Sequence, residues 1–315
     1  MSNRLRMSKI YGTLHRAGAD GDDGLPRFSL EHLGSVDEEP EGLEAAPPSA
    51  EPATPAPPGP QLPVRVGANI QRVPICLDPR APLLPFNGDQ PRVAEQYRLV
   101  RTKITYHPRQ PRTIVITSPT AGDGKTVSSI NIAGALALRK DVNVLLVEAD
   151  FRRPQVASSL GLPPSLGLAD ILANTCTPEQ ALLRAEQFPN LYILPVGQVG
   201  DNPAELLDSA RWRAVCAVFR KQFRFTIFDA PPLGAVTDYE LIQGVCDGVV
   251  MVLRPDGTNR TLSFLALQAV PREKLLGVLL NDVEDWFLRK TQHDYYYTAE
   301  PAPLVRSPRR PFERR

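Results

Sequence analysis

The residues best suited to do chemistry lie in one run, Gly122-Asp123-Gly124-Lys125-Thr126. Small residues let successive backbone N–H groups turn inward on phosphate oxygens. A lysine at position 125 can reach β- and γ-phosphates, and a threonine hydroxyl at 126 can hold Mg²⁺. Ala121 and Val127 flank the run and belong to the same expected nucleotide-binding loop. Two further acidic groups follow apolar stretches. Asn143 to Val147 leads into Glu148-Ala149-Asp150, and Phe225 to Phe228 leads into Asp229. Alternation along a strand aims Glu148 and Asp150 to one side. Carboxylates at the carboxyl ends of parallel strands stand where open α/β sheets bind ligands. Asp229 is placed to organise the metal, and Asp150 to accept a proton or to share in holding the ion, with Glu148 in support.

The elements that must position these groups can be read around them. Thr113 to Thr117 is β-branched and apolar, as a buried strand requires, and Val127 to Arg139 continues the loop into a helix whose positive end favours phosphate. Further strands are predicted at Asn190 to Val196, Gly248 to Leu253 and Leu275 to Leu280. Helices are predicted at Ala204 to Phe223 and near Asn259 to Val270. Strands alternating with helices predict a doubly wound, mostly parallel α/β sheet. The phosphate loop departs from the usual pattern: Pro119 stands where its first glycine is expected.

Composition bounds the rest. Of 315 residues, 36 are Lys or Arg and 35 Asp or Glu, so nothing global points to nucleic acid. The four cysteines, Cys76, Cys176, Cys216 and Cys246, make no metal spacing, which suits a reduced, cytoplasmic chain. There is no run of about 18 apolar residues to span a membrane and no secretory leader. Residues 1–18 read as a short amphipathic helix, with a frayed basic tail as the alternative. Of the 33 prolines, 15 fall in the first 91 positions, so residues 19–91 read as a disordered linker, within which Ile75 and Leu83 are candidates to lie extended on a domain surface. A catalytic domain is expected over 92–290. Residues 291–315 read as a flexible tail with Tyr295-Tyr296-Tyr297 and five arginines in the last ten positions. That basic end is suited to peripheral contact with an anionic membrane face. Glu95, Arg98 and Arg101 share one side of a predicted helix, either pairing within it or bridging to another subunit.

Taken together, these motifs resemble the bacterial tyrosine autokinases (BY-kinases) of the cytoplasmic type associated with capsule and exopolysaccharide synthesis. The resemblance runs from Glu95-x-x-Arg98-x-x-Arg101, similar to that family's oligomerisation motif, to the tyrosine tail. Between them lie Ser118 to Thr126, Val147 to Pro154 and Phe228 to Pro232, similar to its three nucleotide motifs. Proline near the start of the loop is common in the family, and Asn281 is similar to a base-contacting asparagine of related ATPases. The resemblance implies a P-loop fold of the deviant, partitioning-ATPase-like type. It implies phosphoryl transfer from Mg·ATP to Tyr295, Tyr296 and Tyr297 of a neighbouring copy. It also implies a ring-type homo-oligomer and a membrane-anchored chain-length regulator as partner. Glu148 departs from the family's Asp, and Asp123 from its common Glu. Two alternatives share the phosphate loop: a partitioning-type ATPase switch, and a catalytically weak ATP-binding regulator of polysaccharide assembly.

Overall fold

The computed structural model describes residues 7–11, 70–76, 91–200, 202–233, 237–255 and 257–283. Among them nine strands form one sheet. They are β1 (Met7–Tyr11), β2 (Gln71–Val73), β3 (Thr113–Thr117), β4 (Val144–Glu148), β5 (Leu183–Ala185), β6 (Leu191–Leu194), β7 (Phe225–Asp229), β8 (Gly248–Leu253) and β9 (Leu275–Val283). Their order is β1-β9-β8-β3-β7-β4-β6-β5-β2. From β9 to β6 every pairing is parallel, and antiparallel junctions occur at β1–β9 and β5–β6. The helices are α1 (Pro91–Thr105), α2 (Lys125–Ala137), α3 (Val156–Ser159), α4 (Leu168–Leu172), α5 (Pro178–Ala181), α6 (Pro203–Leu207), α7 (Ala210–Gln222), α8 (Asp238–Gly244) and α9 (Arg260–Ala269).

Both faces of the sheet are covered, and the two-residue period sorts its side chains between them. Ile114, Ile116, Val144 and Leu146 pack with Val93, Tyr97, Val100 and Ile104 of α1 and with Ile130 of α2. Val115, Leu145 and Val147 pack on the other face with Ile171 of α4, Trp212, Val215 and Phe219 of α7 and Ile242 of α8. Strands buried on both faces read as unbroken apolar runs, which is why β3, β4 and β7 are legible as such. The expected doubly wound, mostly parallel fold is what the chain adopts.

Four local expectations are corrected. Within 1–18, Met7–Tyr11 is a strand rather than a helix, antiparallel to β9. It covers what would otherwise be an exposed sheet edge, a long-range demand that local amphipathicity cannot register. Within 19–91, Gln71–Val73 pairs with β5, Ile75 is buried, and Ile75 N–H donates to Gln187 Oε1 at 2.9 Å. The folded region therefore reaches further into the proline-rich stretch than the linker boundary allowed. α1 starts at Pro91, where a proline's missing N–H is harmless. Finally, Ala204 to Phe223 is two helices, because Ser209 caps α7 by accepting from Trp212 N–H at 3.0 Å.

Candidate active site

The sheet order brings β3, β7 and β4 side by side, so the residues after each meet at one edge. After β3 the chain turns through Gly122 and Gly124, both at φ 92. At Gly124 a side chain is excluded twice: the backbone is left-handed, and an added Cβ would lie 1.9 Å from Asn281 Nδ2. Gly124 is also the N-cap of α2, so the amides of the first turn, from Lys125 on, have no carbonyl one turn back to satisfy them. A cradle of outward-pointing donors at a helix N-terminus results, which is the arrangement phosphate requires.

The side chains beneath it are tightly organised. Lys125 Nζ donates to Asp150 Oδ2 at 2.7 Å, with both groups nearly buried. Asp150 Oδ1 accepts from Arg153 N–H at 3.0 Å. Thr126 Oγ1 donates to Asp229 Oδ2 at 2.7 Å, and the Ser129 hydroxyl lies 2.9 Å from Asp229 Oδ1. Asp229 is completely buried, and burial pushes its carboxyl up against the opposing pull of Lys125, Thr126 and Ser129. Asp123 braces the loop. Its carboxylate accepts from Thr120 N–H and Oγ1, both at 2.9 Å, and from Thr258 Oγ1 at 2.6 Å. Asn281 Nδ2 donates to the Asp123 carbonyl at 3.0 Å, so Asn281 sits against the loop. Ala121 and Gly122 are exposed at the rim and Val127 is half-buried.

Sequence reasoning missed Ser129 and Thr258 as members of this constellation. Ser129 had a signal, since it stands one helical turn beyond Lys125. Thr258 had none, because it arrives from the loop after β8.

Glu148 does not join Lys125. It is wholly buried, and its Oε1 accepts from Val156 N–H at 2.6 Å, at the start of α3. Its Oε2 has no hydrogen-bond partner among the described residues. Burial first, and then the nearby Asp229 charge, push its carboxyl up to about 7. An unfolded glutamate titrates near 4.3, so between those values the unfolded chain releases its proton first, and Glu148 stabilises the fold less as pH rises. We expect Glu148→Gln to raise unfolding stability by about 1–3 kcal/mol at pH 8 and to leave it nearly unchanged at pH 5. Urea unfolding of the nucleotide-free chain at the two pH values checks this.

Of the oligomerisation candidates, Glu95 and Arg98 pair within α1 at 2.8 Å on an exposed face, and Arg101 lies half-buried one turn further on. Tyr295, Tyr296 and Tyr297 lie outside the described residues. Among the described residues no helix is long and apolar enough to cross a membrane.

A strand–cradle–helix unit followed by two acid-ended neighbouring strands defines a nucleotide-binding domain. Residues 114–307 match the CobQ/CobB/MinD/ParA nucleotide binding domain family. The chain is 32% identical over 211 residues to tyrosine-protein kinase YwqD of Bacillus subtilis, covering 66% of this chain and 87% of that protein. Among solved structures, the chimerical protein CapA2B2 aligns with TM-score 0.58 and 30% identity, over 62% of this chain and 88% of that one. The BceF tyrosine kinase domain aligns with TM-score 0.54 and 29% identity, over 62% and 80%. The chain belongs to the bacterial tyrosine kinases, within that nucleotide-binding family.

Proposed function

We infer that this chain is an ATP-dependent protein-tyrosine kinase that modifies its own C-terminal tyrosines and thereby regulates capsule or exopolysaccharide synthesis. The observation that carries the reading is the Lys125–Asp150 and Thr126–Asp229 pairing at the mouth of the Gly122–Thr126 cradle. The donor set fits Mg·ATP. Backbone amides and one lysine suit a triphosphate. A hydroxyl with one carboxylate suits Mg²⁺, which keeps several waters and takes few protein oxygens. Bound Mg·ATP supplies the γ-phosphoryl group and the cation that neutralises its charge.

The protein's part is positioning and electrostatics, since phosphoryl transfer leaves little covalent work to side chains. Lys125 and the first-turn amides hold the β- and γ-oxygens, in a region where water is largely excluded and each charge counts for more. Thr126 and Asp229 hold the ion, with Asp150 near enough to contribute. A tyrosine hydroxyl, ordinarily titrating near 10, needs a proton acceptor at neutral pH. Asp150 accepts it as the phenolic oxygen bonds to the γ-phosphorus and the bond to the β,γ-bridging oxygen breaks, leaving ADP. Asn281, whose side-chain amide donates to the Asp123 carbonyl, is assigned the contact with the base, and Glu148, buried under α3, supports the strand end.

The acceptors assigned are Tyr295, Tyr296 and Tyr297 of a neighbouring copy, with Glu95, Arg98 and Arg101 presenting the surface through which copies form a ring. A membrane-anchored chain-length regulator is the assigned partner, and the assigned location is cytoplasmic, peripheral to the membrane. Phosphate adds about −1.5 to −2 charge per tyrosine, enough to release a tail from an acid-lined site and loosen a ring.

Incubating the purified chain with γ-labelled Mg·ATP tests the reading. Label on Tyr295–Tyr297 is expected. Release of free phosphate with unlabelled protein would favour an ATPase switch instead.

A further inference from the structure

Beside Asp150 lies a cavity of about 670 Å³ whose lining includes none of Gly122 to Thr126. One wall is made by Thr120, Ala121 and the Pro231-Pro232 turn. α9 contributes Leu262, Leu265 and Ala266 to the same lining. Leu262 and Leu265 are 46% and 53% exposed, and Ala266 is the one residue of α9 that is buried. Two arginines, Arg152 and Arg153, also line the cavity, and they are not equivalent. Arg152 is committed to the buried Asp238, with Nε 2.9 Å from Oδ2. The Arg153 guanidinium makes no hydrogen bond or ion pair with a described residue, although its backbone N–H is anchored on Asp150.

A cavity lined by leucines, by the Asp150 carboxylate and by an exposed, uncommitted guanidinium is complementary to a phenol ring that has a neighbouring carboxylate. The ring's faces lie against the leucines, and the hydroxyl reaches Asp150. Arginine's planar fork pairs the adjacent acid. We propose that this cavity is the acceptor subsite and that Arg153 selects tyrosines flanked by acidic residues. The chain's own tail has that chemistry: Asp294 immediately precedes Tyr295, and Glu300 follows Tyr297 by three positions. The proposal rests on the kinase reading above and adds to it which acceptors the site prefers and which residue reads them.

The test uses the full chain, a fluorescent peptide of the sequence Gln292 to Pro301, and saturating Mg·ADP, with binding read by anisotropy. Arg153→Glu is expected to weaken peptide binding about five-fold or more, with Mg·ADP affinity unchanged. A peptide carrying Asp294→Lys and Glu300→Lys is expected to reverse the preference, binding the Arg153→Glu chain better than the wild type. Leu262→Asp combined with Leu265→Asp is expected to abolish peptide binding while ADP still binds. Equal binding of the native peptide by wild type and Arg153→Glu would overturn the proposal, as would a loss of ADP affinity in place of peptide affinity. The same peptide is offered Mg·ATP in parallel. Charge-dependent binding without transfer of phosphate would sink the kinase reading and leave the subsite standing. Transfer with charge-independent binding would do the reverse.

Discussion

Replacing Lys125 by Met is expected to lower tail phosphorylation by about a thousand-fold while the chain stays folded. Lys125 is 2.7 Å from Asp150 and close enough to Asp229 to oppose the upward push on that carboxyl. In the nucleotide-free chain it neutralises two acids. In the working enzyme its charge is needed on the phosphates, where it counts most as the transferred group separates. Methionine keeps the stem's packing and removes the charge. The stability loss should be about 3 kcal/mol, the order seen when one partner of a buried pair is removed. A circular-dichroism melt and a phosphotyrosine blot on the same sample separate the two effects. Wild-type labelling by the isolated variant would refute the assignment of Lys125.

Asp229→Asn should move activity and stability in opposite directions. Asp229 is wholly buried at the end of β7, and its folded carboxyl is raised above the ordinary carboxylate range, mainly by burial. A group raised in this way stabilises most at low pH, below its unfolded value, and progressively less as pH climbs through the folded one. At high pH the carboxyl therefore contributes less to the nucleotide-free fold than it does at low pH. Asparagine keeps the shape and one acceptor oxygen for Thr126 or Ser129, so the variant should be at least as stable as the parent at pH 8. Its Mg²⁺-dependent phosphorylation should fall about a hundred- to a thousand-fold, because the carboxylate assigned to the ion is gone. Denaturant unfolding at pH 8 and initial-rate labelling over a Mg²⁺ series check both halves. A variant that is clearly less stable yet fully active would show that Asp229 is structural.

The parts of this site that were legible in the sequence are those in which neighbours in the chain do the work. β3, the glycine loop and α2 follow one another without interruption, and β7 ends on its acid, so a run of apolar residues meeting Gly-Asp-Gly-Lys-Thr or Asp229 was enough. What escaped depends on partners far away. β1 and β2 are five and three residues long and exist because β9 and β5 offer edges. Glu148 shares its parity with Asp150, and strand alternation cannot tell them apart. The difference comes from the chain folding back at Phe151 to Pro154, which puts the Val156 amide over one carboxylate and leaves the other beside Lys125. Thr258 reaches Asp123 across 135 positions, and nothing in its own neighbourhood marks it. The break between α6 and α7 did leave a trace in Ser209, which local apolar periodicity overrode.

The most direct measurement is a crystal structure of the chain with Mg²⁺ and a non-hydrolysable ATP analogue. The account predicts the triphosphate along Gly122 to Thr126, Lys125 Nζ moved from Asp150 onto the β- and γ-oxygens, and the ion between Thr126 and Asp229. A nucleotide seated elsewhere, with the Lys125–Asp150 pair unbroken and Asp229 remote from any ion, would contradict it.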